Sequence, residues 1–234
     1  MFQAMSQQAD HQDFAQAIQC RLPSCLRGKR FLVNQRKPSR RPRQVLQFDQ
    51  QHAGQGGCDR VEAAHAQKPL LTQALQQVGF IPNMYANMVN APGVLSTYLH
   101  GYGLFRKESG FQPAEQEVVF LAISLSNGCG YCAAAHSMIA DKVSGVPAEV
   151  LAAIRARAPI PDRRLAALYA MASELVGTHG RPQATTAHAF LQEGFTELHA
   201  LYIILAAGVK TLSNFTNHAL GTPLDARFES YALG

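Results

Sequence analysis

The sequence predicts an all-α protein, and three observations support this fold class. From about Val61 onward, apolar residues recur every three or four positions, as they do on one face of an α-helix. Proline or a capping side chain starts most of these segments, and glycine ends several of them. No segment alternates apolar and polar residues as a half-buried strand would. At 234 residues and 47% hydrophobic composition, the chain can bury a sizeable core.

Residues 1–60 are predicted to be disordered, and residues 61–234 to form one all-α domain. The N-terminal segment is rich in Gln and Arg, and it has too few regularly spaced apolar residues to offset the entropy cost of folding. Nine of the 21 Lys and Arg residues lie between Arg21 and Arg43, where there is no acidic residue. Such a segment can bind nucleic acid, but its one aromatic residue, Phe31, and the lack of any zinc-finger or RNA-recognition signature argue against a nucleic-acid partner.

The first three predicted helices of the domain each begin at a proline. The apolar faces of the first two, which start at Pro69 and Pro92, contain Leu70, Leu71, Ala74, Leu75 and Val78, then Val94, Leu95, Tyr98, Leu99 and Tyr102. Pro113 suits the first turn of the third helix, where its missing N–H costs no hydrogen bond. This third helix is apolar nearly all round from Val118 to Leu125, so it is expected to lie at the centre of the core.

Four further helices are predicted after the Asn127-Gly128 break. One runs from Cys129 to about Ser144, and a short one follows Pro147. The next is capped by Asp162, and the last is capped by Thr196. The most apolar run of the chain, residues 198–209, is too short to cross a membrane, so we expect a buried helix there and no membrane association.

An internal repeat is one interpretation of the domain. Residues 117–136 align without a gap with residues 199–218, apolar positions mostly match, and His136 falls on His218. An ancient duplication would make the two segments similar helix pairs. Chance similarity between two buried helical segments is the alternative.

The motif CGYCAAAH, residues 129–136, is the strongest chemical signal in the sequence. On a helix, Cys129, Cys132 and His136 lie at positions i, i+3 and i+7 and share one face. Free N–H groups and the dipole at a helix start favour a thiolate, and this spacing lets two sulfurs close a disulfide. The pair is therefore predicted to be redox-active. A zinc site and two apolar core cysteines are the alternatives, although a structural zinc site needs four ligands.

Glu117 is the candidate proton-transfer group. It lies twelve residues before Cys129 among apolar residues, where a carboxylate is costly unless it is paired or functional. If the helices on either side of the Asn127-Gly128 turn pack together, Glu117 points towards the cysteines. Glu115 lies in the first turn, where an acid simply suits the helix dipole. Because a base within one turn activates a thiol, His136 favours Cys132 as the attacking thiol and Cys129 as the resolving one.

The segment EVVFLAISLSNGCGYCAAAH resembles the alkyl hydroperoxidase D / carboxymuconolactone decarboxylase family, in particular its peroxidase-related branch with a CxxC motif. The family pattern is a Glu, a CxxC twelve residues later, and a His four residues after the second Cys. This sequence matches it at Glu117, Cys129, Cys132 and His136. The likeness covers about residues 60–234, including LQQVGFIPNMYANMVNAPGVL and NHALGTPLD. The decarboxylase branch proper lacks the CxxC.

This resemblance implies an alkyl hydroperoxidase D-like helical bundle, assembled as a homo-oligomer that is trimer-based or dimeric. It also implies a thiol-dependent peroxidase or disulfide reductase without haem, flavin or metal, in which Glu117 and His136 relay protons. The implied substrate is a hydroperoxide, and the implied reductant is a thiol or a lipoyl-type compound. Tyr131 departs from alkyl hydroperoxidase D itself, which has a His before the second Cys, so a lipoyl-type reductant does not follow directly. A non-enzymatic, oligomeric partner-binding domain is the remaining alternative. Since no export signal is evident, we expect a reducing cytoplasm.

Overall fold

The computed structural model describes residues 67–76 and 79–233, and these residues contain helices and no strand. The predicted all-α class is therefore confirmed. The predicted disorder of residues 1–60 and the predicted position of Val78 lie outside the described residues.

Nine α-helices and one 3-10 helix occur in the described part of the chain. They are α1 (67–76), α2 (Asn83–Met88), α3 (Pro92–Glu108), α4 (Pro113–Ser126), α5 (Gly130–Lys142), α6 (Ala148–Ala156), α7 (Arg163–Gly177), α8 (Ala184–Gln192), α9 (Glu197–Leu220) and the 3-10 helix Ala226–Tyr231. Helices α2 and α8 and the 3-10 helix were not predicted from the sequence. Two of these have only six residues, and α8 buries a single side chain, Phe190, so none shows a sustained apolar period.

Helix α4 is the centre of the fold, as its apolar sequence predicts. Six consecutive residues, 118–123, are fully buried, and the helix contacts α5, α7 and α9. Pro113 occupies its first turn. Glu115 accepts a hydrogen bond from the Gln112 N–H and pairs with Arg164 of α7 at 2.8 Å. This carboxylate therefore has a structural role, since it caps α4 and joins it to α7.

A tight turn places α5 against α4. Gly128 has φ +68°, a left-handed conformation that glycine adopts without a steric cost. The Cys129 N–H then bonds the Ser124 carbonyl at 2.9 Å, and Cys129 becomes the N-cap of α5. The turn therefore brings the CxxC motif alongside the helix that carries Glu117.

Helix α9 corrects two sequence-based expectations. Residues 198–209 were expected to be buried, yet Leu198, Leu201 and Ile204 are 59%, 62% and 51% exposed. Only one face of this 24-residue helix packs into the core. In the described part of the chain, α9 is a helix long and apolar enough to cross a membrane, but core helices pass the same test.

The second correction concerns the internal repeat. Residues 117–136 form a helix, a turn and a second helix, whereas residues 199–218 lie within the single helix α9. The positions that align with Asn127 and Gly128 are Val209 and Lys210, neither of which favours a turn. The two segments do not share a structure, so the repeat interpretation is not supported.

Candidate active site

The two cysteines lie side by side at the start of α5, covered by α9. Both thiols are reduced, and each residue is only 2% exposed. The Asn217 amide of α9 donates to both sulfurs, at 3.3 Å to Cys132 Sγ and 3.7 Å to Cys129 Sγ. Ser213 Oγ lies 3.8 Å from Cys132 Sγ. Polar groups from a helix some 80 residues away thus solvate sulfurs that are shielded from water.

The two thiols have opposite acidities. Burial raises the pKa of Cys132, but the hydrogen bond from Cys129 and the nearby Lys210 ammonium outweigh it and hold this pKa well below its ordinary value. The pKa of Cys129 is raised, first because its thiol is hydrogen-bonded to Cys132 and second because it is buried. Cys132 is therefore the sulfur that this environment favours as a thiolate.

Glu117 is fully buried, and its carboxylate is hydrogen-bonded to two side chains. Its Oε2 lies 2.8 Å from His136 Nδ1, and its Oε1 accepts a hydrogen bond from the Arg106 guanidinium of α3. Burial raises the pKa of Glu117, but His136 and Arg106 lower it further than burial raises it. The carboxylate is thus ionised and acts as an acceptor towards both neighbours.

This arrangement fixes the tautomer of His136. Burial, with help from Lys210 and Arg106, lowers the pKa of His136, so the ring is neutral near pH 7. Because an ionised Glu117 can only accept, the ring proton lies on Nδ1 and Nε2 keeps its lone pair. The ring also stacks on Phe120 at 4.7 Å between centroids, which holds its plane. His136 is thereby oriented as a base.

Arg106 is held in turn by a network on α3 and α4. It donates to the Tyr102 hydroxyl at 2.6 Å and to Gln116 Oε1 at 2.9 Å, and its guanidinium lies over the Tyr102 and Phe120 rings. Arg106 was not predicted from the sequence as a site residue, because an arginine in the last turn of a helix is already explained by the helix dipole.

A cavity of about 460 Å³ opens beside the cysteines and is lined by Cys132, His136, Lys210 and Arg106. Most of its remaining wall is aromatic or apolar, and includes Phe80, Tyr85, Tyr98, Tyr102, Phe228 and Met138. No hydrogen bond joins His136 to Cys132 within the described residues, but both line this cavity. A small molecule bound there would contact both groups.

Tyr131, between the two cysteines, makes structural contacts through its hydroxyl. Its hydroxyl donates to Asp225 and accepts from the Met84 N–H at 3.4 Å. Burial and the bond to Asp225 raise its pKa. The side chain therefore ties the start of α5 to α2 and to the segment after α9. His218, which aligned with His136 in the supposed repeat, is exposed in the last turn of α9.

A zinc site receives no support from this geometry. Within residues 67–76 and 79–233, no three His, Cys, Asp or Glu side chains converge so as to hold a metal ion. His136 uses Nδ1 for Glu117, and the amide of Asn217 faces both sulfurs.

Comparison with known proteins agrees with the fold and the motif. Residues 93–174 match the model of the carboxymuconolactone decarboxylase family. One similar structure is the alkylhydroperoxidase AhpD core of an uncharacterized peroxidase-related protein from Ralstonia eutropha JMP134. It has a TM-score of 0.60 and 22% identity, over 69% of this chain and 86% of that one. An uncharacterized peroxidase-related protein from Silicibacter sp. TM1040 is also similar in structure. Its TM-score is 0.58 and its sequence identity 20%, over 69% of this chain and 85% of that one. No curated protein sequence matches the chain.

These findings show an alkylhydroperoxidase D-like helical fold. The part of the chain that matches the carboxymuconolactone decarboxylase family model, residues 93–174, contains Glu117, both cysteines and His136. The family resemblance predicted from the motif is confirmed.

Proposed function

We propose that this protein is a thiol peroxidase that reduces hydroperoxides through Cys132 and Cys129. The observation that carries the proposal is the unequal pair of buried thiols beside the His136–Glu117 pair. Cys132 has a lowered pKa and lines the cavity, whereas the pKa of Cys129 is raised and its thiol contacts the Cys132 sulfur. A low-pKa attacking thiol next to a resolving thiol is the arrangement that reversible thiol oxidation requires.

In the first step, His136 Nε2 takes the Cys132 proton, and the thiolate attacks the terminal oxygen of the hydroperoxide. The O–O bond breaks, an S–O bond forms, and Cys132 becomes a sulfenic acid. The alkoxide that leaves takes the proton from His136 and departs as an alcohol. Glu117 stabilises the transient imidazolium through Nδ1, and Arg106 keeps the carboxylate in place.

In the second step, the Cys129 sulfur attacks the sulfenic sulfur of Cys132. A disulfide forms, and the sulfenic oxygen leaves as water with the Cys129 proton. The two cysteines have then lost two electrons, which the hydroperoxide has gained. The reductant is a lipoyl-type dithiol or two molecules of a monothiol. It returns two electrons and two protons by thiol–disulfide exchange.

A reducing cytoplasm would supply such a thiol, and we propose that the protein works there as a homo-oligomer. Reversible oxidation needs no metal or organic cofactor, because the two sulfurs carry the electrons.

The test is to add one equivalent of a neutral alkyl hydroperoxide and follow the two thiols by mass spectrometry. The wild type should form a Cys129–Cys132 disulfide that dithiothreitol reverses. Cys129→Ser should stop at a dimedone-reactive sulfenic acid on Cys132, whereas Cys132→Ser should react far more slowly. The proposal fails if both thiols stay reduced, and the assignment of roles fails if the two variants behave in the opposite way.

A further inference from the structure

Lys210 of α9 is a buried lysine that the mechanism above does not use. It is fully buried, and its Nζ has no hydrogen-bond partner among the described residues. The Nζ lies over the face of the Phe120 ring, 5.6 Å from the ring centroid. Burying an ammonium without a partner is costly, so a buried lysine of this kind marks a candidate functional group.

Lys210 lies on the same face of α9 as the residues that contact the cysteines. Lys210, Ser213 and Asn217 are spaced i, i+3 and i+7 on α9, and all three are buried. Ser213 and Asn217 contact the sulfurs, and Lys210 lines the cavity together with Cys132 and His136. One face of α9 thus presents three polar groups to the site.

The charges around the cavity leave Lys210 without a counter-ion. Titratable or charged side chains from several elements face Cys132 or its cavity. They are Tyr85 of α2, Tyr98, Tyr102 and Arg106 of α3, Glu117 of α4, Cys129, Tyr131 and His136 of α5, Lys210 of α9, and Arg227. Asp225 is linked to the cavity indirectly, because it is bonded to Tyr131. Glu117 is paired with Arg106, and Asp225 receives the Tyr131 hydroxyl. Arg227 is exposed. In the described part of the chain, the thiolate of Cys132 is therefore the negative charge that can balance Lys210.

We propose that Lys210 is a catalytic residue that forms an anion subsite in this cavity. Whenever Cys132 is deprotonated, the Lys210 ammonium balances its thiolate. During peroxide cleavage it hydrogen-bonds the oxygen that leaves, as the negative charge moves from sulfur to that oxygen. His136 still supplies the proton, so atoms and electrons balance as before. The second role rests on the proposed peroxidase function, whereas the first does not.

Alkylation of Cys132 tests the subsite without any peroxide. The rate is followed at the Cys132 peptide by mass spectrometry as a function of pH, with neutral iodoacetamide and anionic iodoacetate. Lys210→Met should raise the midpoint of the iodoacetamide profile by at least one pH unit, which lowers the rate at neutral pH by about tenfold. The iodoacetate-to-iodoacetamide rate ratio should fall several-fold, and Lys210→Arg should keep both values near those of the wild type.

Lys142 provides the matched control, because it lies on α5 with its side chain 68% exposed. Lys142→Met removes the same charge and should leave the profile and the ratio unchanged. Lys210→Met should stay close to the wild type in thermal unfolding at neutral pH, because Cys132 keeps its proton when the ammonium is removed and no buried charge is left unpaired. If this variant does not fold, Lys210→Gln serves for the same measurement.

An unchanged midpoint and ratio in the Lys210 variants would overturn the subsite. The catalytic role is tested separately by the rate of Cys132 sulfenic acid formation at a pH where the thiolate is fully formed. There, Lys210→Met should still react at least tenfold more slowly than the wild type. If the alkylation results hold and even the wild type does not reduce hydroperoxides, the proposed function fails while the thiolate subsite stands.

Discussion

Replacing Glu117 with Gln inverts the chemistry of His136 with almost no change in size. The new amide has one acceptor, its oxygen, and Arg106 requires an acceptor. The amide NH₂ must then face His136 Nδ1, and it can only donate. Nδ1 becomes the acceptor, the ring proton moves to Nε2, and the nitrogen that should deprotonate Cys132 loses its lone pair.

The expected loss of activity is large. A missing general base costs about 10²–10⁴-fold, and a wrong tautomer in a serine-protease triad costs about 10⁴-fold. We therefore expect sulfenic acid formation on Cys132 to slow by about 10³-fold at pH 7. The variant also leaves the Arg106 charge unbalanced. Breaking a buried ion pair costs about 3–5 kcal/mol, and the lower end applies here because the Arg106 side chain is 21% exposed.

The assay combines single-turnover oxidation by a neutral alkyl hydroperoxide with denaturant unfolding of the same samples. Glu115→Gln is the matched control, since Glu115 is a buried carboxylate on the same helix, paired with Arg164 at 2.8 Å. It should lose stability and keep its oxidation rate within about twofold, as expected for a group outside the site. A wild-type rate in Glu117→Gln, or an equal loss of rate in both variants, would refute the assignment of Glu117 and His136.

Three more predictions concern pH, the N-terminal segment and assembly. The free energy of unfolding should rise from pH 4 to 7, because the folded-state pKa values of Glu117 and His136 are both lowered, so the unfolded chain binds protons first on acidification. His136→Gln should flatten the part of that rise near pH 6, measured by denaturant titration, and parallel curves would contradict this. A chain that starts at Gly57 should keep the unfolding midpoint and the oxidation rate of the full chain, since the site lies within α3–α9; loss of either would show that the first residues contribute to the fold. Ile204→Glu, on the exposed apolar face of α9, should lower the mass of a homo-oligomer in light scattering, because such faces mark association surfaces; an unchanged mass would place the interface elsewhere.

The sequence by itself determined much of the local structure around the site. An all-round apolar segment must be buried, so the central position of α4 follows from residues 118–125 alone. Helix starts are also local, because the first turn of a helix has unpaired N–H groups. Proline has no such N–H, and the side chains of Asp162 and Thr196 accept hydrogen bonds from them. The spacing of Cys129, Cys132 and His136 on one helix face is likewise a local property, as is the turn at Gly128.

The tertiary structure alone decided what surrounds the sulfurs. Arg106, Lys210 and Asn217 come from helices far from the motif in sequence, and nothing in their local patterns marks them as site residues. Only one face of α9 is buried, although the run at 198–209 looked apolar enough to be buried throughout. The acidity of Cys132 also depends on which charges and hydrogen bonds reach a buried sulfur, and burial is a property of the packed fold. Helix propensity and spacing act over a few residues, whereas solvation and charge act across the space between helices, so the chemistry of this site appears only when the helices are assembled.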